Sequence, residues 1–172
     1  MVTIAVTAEA QPESRVAVSP ETVKKLGALG ATVKIQSGAG LRSRFPDSVY
    51  QAQGATIVPT AAEAVAGADI LLTVRRPGAD LVRALKPGAI VASMLAPYDD
   101  RAGLDALAGT GAALMAMEFM PRISRAQSMD VLSSQANLAG YKAVIDAAAM
   151  FEQAMPMMMT AAGTVPAAKA FI

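Results

Sequence analysis

Cysteine, histidine and tryptophan are all absent from the 172 residues, and aromatic residues amount to only 4%. Without cysteine there is no disulfide, no thiolate nucleophile and no thiolate metal site. Without histidine the commonest metal ligand and the usual acid/base group near neutral pH are gone. Zinc enzymes and Ser-His-Asp hydrolases are therefore excluded, and no metal site is expected. Charge of one sign is lacking too: 15 Lys+Arg against 14 Asp+Glu leave a formal net charge of +1. Nothing in that balance points to nucleic acid or anionic lipid. No apolar run reaches the roughly 18 residues a spanning helix needs. The opening Met1-Val-Thr-Ile-Ala-Val-Thr7 has no basic segment followed by a long apolar one. A cytoplasmic chain with no direct membrane insertion is expected, and docking onto a membrane complex through protein contacts stays open.

What is present is apolar, at 53% hydrophobic and 17% charged residues, which excludes a disordered chain. The length suits one domain, or one domain with a portion of a second. Short β-branched segments alternate with Ala-rich amphipathic ones. Strands are predicted over Thr3–Val6, Thr32–Ile35, Thr56–Val58, Ile70–Val74, Ala89–Met94 and Ala112–Met117. Helices are predicted over Pro20–Leu29, Pro46–Gln53, Ala61–Ala66, Ala79–Leu85, Asp100–Ala108 and Val131–Gln153. This alternation predicts an α/β fold with a doubly wound, mostly parallel sheet, Rossmann-like or flavodoxin-like. Ser19-Pro20-Glu21 reads as a helix start, with Gly30 as its C-terminal stop. Gly-Ala junctions at Gly30, Gly54, Gly67 and Gly88 mark helix-to-strand turns.

In the last helix Leu138, Tyr141, Ile145, Ala148 and Phe151 recur at three- and four-residue spacing, giving an apolar stripe fit to bridge two domains. The short run Pro156-Met-Met-Met159 is expected in core packing or an interdomain contact. A strand-like run then opens at Ala167–Ile172. The expected organisation is a first α/β domain over 1–130, a bridging helix over 131–153, and the truncated start of a dinucleotide-binding domain over 154–172.

The chemistry is concentrated in few places. Gly38-Ala-Gly40 follows a strand, but the third glycine of a G-x-G-x-x-G fingerprint would fall on Ser43, and no suitable acidic residue follows, so a plain turn is expected. Arg15 precedes the first helix, and Arg75-Arg76 ends a strand; such arginines either hold an anion or sit in salt bridges. The most polar stretch, Glu118 to Asp130 and on to Ser133-Ser134-Gln135, joins the sixth strand to the long helix. Gln127 offers a C=O and an NH₂ that could pair with a carboxamide, and Arg122 with Asp130 could hold the loop's shape. Helix capping by Asp or Ser with solvated arginines is the alternative there.

At this stretch, Met120-Pro-Arg-Ile-Ser-Arg-Ala-Gln-Ser-Met-Asp-Val-Leu-Ser-Ser-Gln-Ala-Asn-Leu-Ala-Gly-Tyr141, the sequence resembles the NAD(H)-binding alpha subunits of proton-translocating NAD(P) transhydrogenases. Further resembling segments are Arg15–Leu26, Gly38-Ala-Gly40 with Asp47, Gly54-Ala-Thr56 and Pro156–Pro166. The earlier segments are shared with alanine dehydrogenases. The resemblance implies an oxidoreductase component, NAD(H) as cofactor, NADP(H) held on a partner component, and direct hydride transfer between the two rings. It also implies a homodimer, other transhydrogenase subunits including a membrane component that moves protons, and a place peripheral to the inner membrane. Carried over residue by residue, it implies a catalytic, ring-orienting role for Gln127. Arg122, Asp130, Ser133 and Arg125 would join Gln127 in binding the cofactor. It further implies that a glycine-rich turn for the pyrophosphate should begin where Phe171-Ile172 ends the sequence, so weak NAD affinity is expected of these residues alone. Two rival functions remain: a non-catalytic dimerisation or assembly module, and an alanine-dehydrogenase-like oxidoreductase. The second is weakened because alanine dehydrogenases place a lysine at Arg75 and a histidine near Ser93–Pro97, where this sequence has none. Arg15 is then structural or inherited rather than a substrate clamp.

Overall fold

The computed structural model describes residues 1–171. The chain divides into two compact units, Met1–Pro121 and the segment from Arg122 onward.

The first unit is a six-stranded sheet. Its strands are β1 (Thr3–Val6), β2 (Thr32–Gln36), β3 (Thr56–Val58), β4 (Ile70–Arg75), β5 (Ile90–Met94) and β6 (Ala113–Ala116). All five pairings are parallel, in the order β3-β2-β1-β4-β5-β6. This is the Rossmann order, not the flavodoxin one, and the chain reverses its direction of advance between β1 and β4. The crossovers are α1 (Pro20–Ala28), α2 (Asp47–Gln51), α3 (Ala61–Val65), α4 (Ala79–Arg83) and α5 (Arg101–Ala108).

Adjacent residues of a strand point to opposite faces, so each face needs its own helical cover. Ala5 packs with Val65, Leu71, Val82 and Leu107 on one side. Val6 packs with Val23, Val33, Ile35 and Tyr50 on the other. The doubly wound arrangement follows from β-strands that are apolar on both faces. At α1 the Ser19 hydroxyl accepts from the Thr22 N–H at 3.2 Å, Pro20 opens the helix, and Gly30 closes it at φ +84°. Gly54, Gly67 and Gly88 also have positive φ, which explains why the Gly-Ala junctions recur.

Tyr50 is fully buried; its hydroxyl donates to the Val18 carbonyl at 2.8 Å and its ring meets Phe45 edge-on. Burial, reinforced by Asp47, pushes its pKa up to about 12. A Cβ on Gly40 would lie 2.6 Å from both the Phe45 carbonyl oxygen and the Tyr50 ring. Glycine is therefore required at this position for packing.

In the second unit a 3₁₀ turn, Ser124–Met129, leads into α6 (Val131–Phe151), followed by a hairpin of β7 (Met158–Thr160) and β8 (Gly163–Val165). No residue of α6 is buried: Leu138 is 59% and Tyr141 68% exposed, so the predicted apolar stripe is uncovered. The Met157–Met159 run does not pack into a core either. It lies on the hairpin with Met159 82% exposed. The strand expected at Ala167–Ile172 is not formed over residues 167–171, where the Ala168 N–H instead donates to the Met155 carbonyl. Ile172 lies outside the described residues. Among the described residues no helix is long and apolar enough to cross a membrane.

Candidate functional site

The polar stretch chosen from sequence is built on one capped helix. Asp130 stands at the N-terminus of α6, and its Oδ1 accepts from the backbone N–H of Leu132 and of Ser133, each at 3.0 Å. Its Oδ2 accepts from the Ser133 hydroxyl at 2.5 Å, and its own carbonyl accepts from the Ser134 hydroxyl. A carboxylate placed there satisfies helix-end N–H groups that have no partner within the helix. The Ser133 hydroxyl, followed by these N–H groups and the charge of Arg122, lowers the Asp130 pKa. Ion pairing between Arg122 and Asp130 does not form; the cap holds the turn.

Gln127 and Arg125 sit on the 3₁₀ turn, with Arg122 just before it, and all three side chains are exposed. None has a side-chain hydrogen bond or ion pair among the described residues. Five sequence-chosen residues thus fall within one short segment of one unit. Two of them, Asp130 and Ser133, form the base, and three present open donors and acceptors.

The rim of the first unit, at the carboxyl ends of its strands, is arranged differently. After β2 the Asp47 carboxylate accepts from the Gly38 N–H at 2.9 Å and from the Ser37 hydroxyl at 2.6 Å. The Gly38 N–H that a phosphate would need is therefore already used, and the expected plain turn is what forms. At the end of β4 the Glu9 carboxylate accepts from the N–H groups of Val74 and Arg75 at 2.6 and 3.1 Å. After β5, Glu118 accepts from Leu95 and Ala96 at 3.1 and 2.6 Å, and Ala96 is held at φ +47°.

Arg15 and Arg75 both pair with Glu13, at 2.7 and 3.0 Å, while Arg76 pairs with Asp100 at 2.5 Å. The Arg15 guanidinium is the main cause that draws the Glu13 pKa down to about 2. Arg75 and Arg76 border cavities of about 400 and 460 Å³. Sequence reasoning named the arginines and placed Glu118 at the start of the polar stretch, but it missed Glu9 and Glu13 and the hold of Glu118 on Leu95 and Ala96. Only the local spacing Glu13-x-Arg15 hinted at one of them. Among the described residues no group of three acidic side chains could hold a metal ion.

Residues 5–139 match the model of the family described as "Alanine dehydrogenase/PNT, N-terminal domain". A Rhodospirillum rubrum protein named as the first portion of NAD(P) transhydrogenase subunit alpha is 50% identical over 175 residues, covering 98% of this chain and 46% of that protein. The crystal structure of transhydrogenase from Sinorhizobium meliloti superposes with a TM-score of 0.89 at 54% identity, covering 96% of this chain and 50% of that one. Alanine dehydrogenase of Mycobacterium tuberculosis is 40% identical over 106 residues, 62% of this chain and 29% of its own length. The chain thus spans about half the length of the transhydrogenase relatives it matches. With four-fifths of its residues inside the family model and near-complete coverage by transhydrogenase alpha relatives, the chain belongs to the alanine dehydrogenase/PNT N-terminal domain family.

Proposed function

We propose that this chain works on the NAD(H) side of a transhydrogenase, where hydride passes directly between NADH and NADP⁺ held on a partner component. The observation that carries this is the Arg122–Ser133 segment: a helix cap with three polar side chains around it that have no side-chain partner among the described residues, within a chain 50% identical to a transhydrogenase alpha relative.

The donor set fits the cofactor. The Gln127 amide has its C=O and NH₂ both open, the pair of groups a carboxamide pairs with. Arg122 and Arg125 supply guanidinium donors, unpaired among the described residues, suited to the anionic parts of a dinucleotide. NAD(H), when bound, supplies the hydride. Gln127 orients the carboxamide and so the ring. Arg122 and Asp130 would hold the carboxamide, with Ser133 adding a hydroxyl; Asp130 is largely engaged in its cap, which fixes the start of α6.

Ring-to-ring hydride transfer needs alignment and close approach, without a proton acceptor. Alcohol or amine oxidation needs a group titrating near the working pH. The chain has no histidine, and the carboxylates Glu13, Asp69, Asp100 and Asp130 all have pKa values moved down, away from neutrality. Both facts favour transfer over alanine-dehydrogenase chemistry. By the same reading the chain forms a homodimer, docks on other transhydrogenase subunits, including a membrane component that moves protons, and lies peripheral to the membrane.

The test joins the chain to the second half of its Rhodospirillum rubrum relative and mixes it with an NADP⁺-bearing partner component and NADH. NADPH formation is expected, and its absence in a folded, NADH-binding preparation overturns the proposal. A second reading, a non-catalytic assembly module, is favoured by the exposed Leu138, Tyr141 and Met159. Calorimetric titration with NADH separates the two, because submillimolar binding excludes an inert module.

A further inference from the structure

The 3₁₀ turn Ser124–Met129 sorts the side chains of the Arg122–Ser133 segment into rows, because residues three positions apart in such a turn lie one above the other. Ala126, 2% exposed, is the residue it turns inward. Arg125 and Ser128 therefore share one outward row, and Ser124 and Gln127 the other; all four are exposed. One turn advances about 6 Å, which an arginine side chain spans, so the Arg125 guanidinium can stand over the Ser128 hydroxyl. Neither that hydroxyl nor the guanidinium groups of Arg122 and Arg125 has a hydrogen bond or ion pair among the described residues. The sequence adds an independent observation. Of all the serines and threonines in the chain, Ser128 alone has an arginine three positions before it. That is the charge pattern by which basic-directed serine kinases select their substrates.

We propose that Ser128 is a phosphorylation site that regulates this segment: Arg125 and Arg122 capture its phosphate, and the segment is closed to a dinucleotide. The Ser128 Oγ attacks the γ-phosphorus of a nucleoside triphosphate held by the kinase. The Oγ–P bond forms as the bond to the β–γ bridging oxygen breaks, the nucleoside diphosphate leaves, and the hydroxyl proton passes to the kinase's base. The product carries about −1.5 to −2 charges near neutral pH. The N–H groups of Leu132 and Ser133 at the head of α6 are already taken by Asp130, whose charge repels the phosphate. Arg122 and Arg125 are the only cations of the segment, so the phosphate pairs with them in charge-assisted hydrogen bonds. These guanidinium groups would otherwise serve the anionic parts of a dinucleotide, and the added charge repels the cofactor's own phosphates as well. Gln127, on the neighbouring row, stays open. The regulatory role rests on the reading of Arg122–Ser133 as the NAD(H) segment, whereas capture of the phosphate does not.

The isotopically labelled full chain, joined to the second half of its Rhodospirillum rubrum relative, is incubated with basic-directed serine kinases and ATP. Peptide mass mapping is expected to find phosphate on Ser128, and to lose that signal in Ser128→Ala. In the phosphorylated chain the Nε–H resonances of Arg122 and Arg125 are expected to shift. NADH is expected to bind at least about tenfold more weakly, as loss of a single charge-assisted hydrogen bond would give. Ser128→Ala carried through the same treatment keeps the affinity of the untreated chain. Absence of phosphate from Ser128 overturns the proposal, as do arginine signals that the phosphate leaves unmoved, or equal NADH affinity with and without it. Should the untreated chain bind no NADH, the transhydrogenase reading fails and the arginine signals alone decide: shifted signals support capture of the phosphate, and unmoved ones overturn it.

Discussion

In residues 1–121 the carboxylates of Glu9, Glu13, Asp47 and Glu118 each accept from backbone N–H groups at the carboxyl-end rim of the sheet. Over Arg122–Ser133 Asp130 does the same at the head of α6, yet Gln127, Arg122 and Arg125 around it have no side-chain partners among the described residues. The difference separates two tasks. Loops whose polar groups are satisfied internally are stiff and offer little to a ligand. A segment with a fixed base and open side chains keeps its hydrogen-bonding capacity for something else. The fold alone would have put the ligand at the crest of the first sheet, but in this chain several backbone N–H groups along the crest are already paired with its own acids.

The contrast can be broken most severely at its scaffold. Leu71 is fully buried in β4, and Leu71→Ala is expected to cost about 2–5 kcal/mol, read by denaturant unfolding with the slope unchanged. A smaller loss under these conditions would mean the first core is less tightly packed than the burial indicates. Acid comes next. The folded pKa of Glu13, about 2, lies below its ordinary 4.5. Its contribution is therefore complete above about pH 4.5 and is lost as pH falls from there toward 2. Because Arg15 and Arg75 are partly exposed, screening reduces the effect to about 1–3 kcal/mol. Glu13→Gln should flatten that region of the stability profile, and an unchanged profile would remove Glu13 from the account.

Asp130→Ala sharpens the other side of the comparison. Loss of the cap is expected to destabilise the start of α6 by about 0.5–2 kcal/mol, seen as faster amide exchange at Leu132 and Ser133. The smallest effect on stability belongs to Gln127→Asn. It removes no side-chain hydrogen bond or ion pair among the described residues, so unfolding should be unaltered while hydride transfer slows more than NADH binding weakens. An unchanged transfer rate would take Gln127 out of the mechanism.

Most of the first unit was legible in sequence because each strand is a short β-branched run closed by a glycine turn, both local signals. All six strands and five crossover helices stand where those signals put them, to within a few residues. The cap at Asp130 was legible for the same reason, since its partners are two and three residues away. The rim acids were not, because what matters is their distant partner: Glu9 meets Val74 across 65 residues and Glu13 meets Arg75 across 62. Composition carries no trace of such pairing. The hairpin at Met158–Val165 escaped because β7 is a methionine run without alternation or β-branching before Thr160, and β8 is only three residues long. Periodicity in α6 gave a stripe but could not show that the stripe stays uncovered within this chain.

The central contrast is tested most directly by titrating NADH into the isotopically labelled chain joined to the second half of its Rhodospirillum rubrum relative. The expected result is movement of the Gln127 side-chain NH₂ resonances, with the backbone N–H signals of Gly38, Val74 and Leu95 left in place. Movement of those rim signals with Gln127 silent would contradict it.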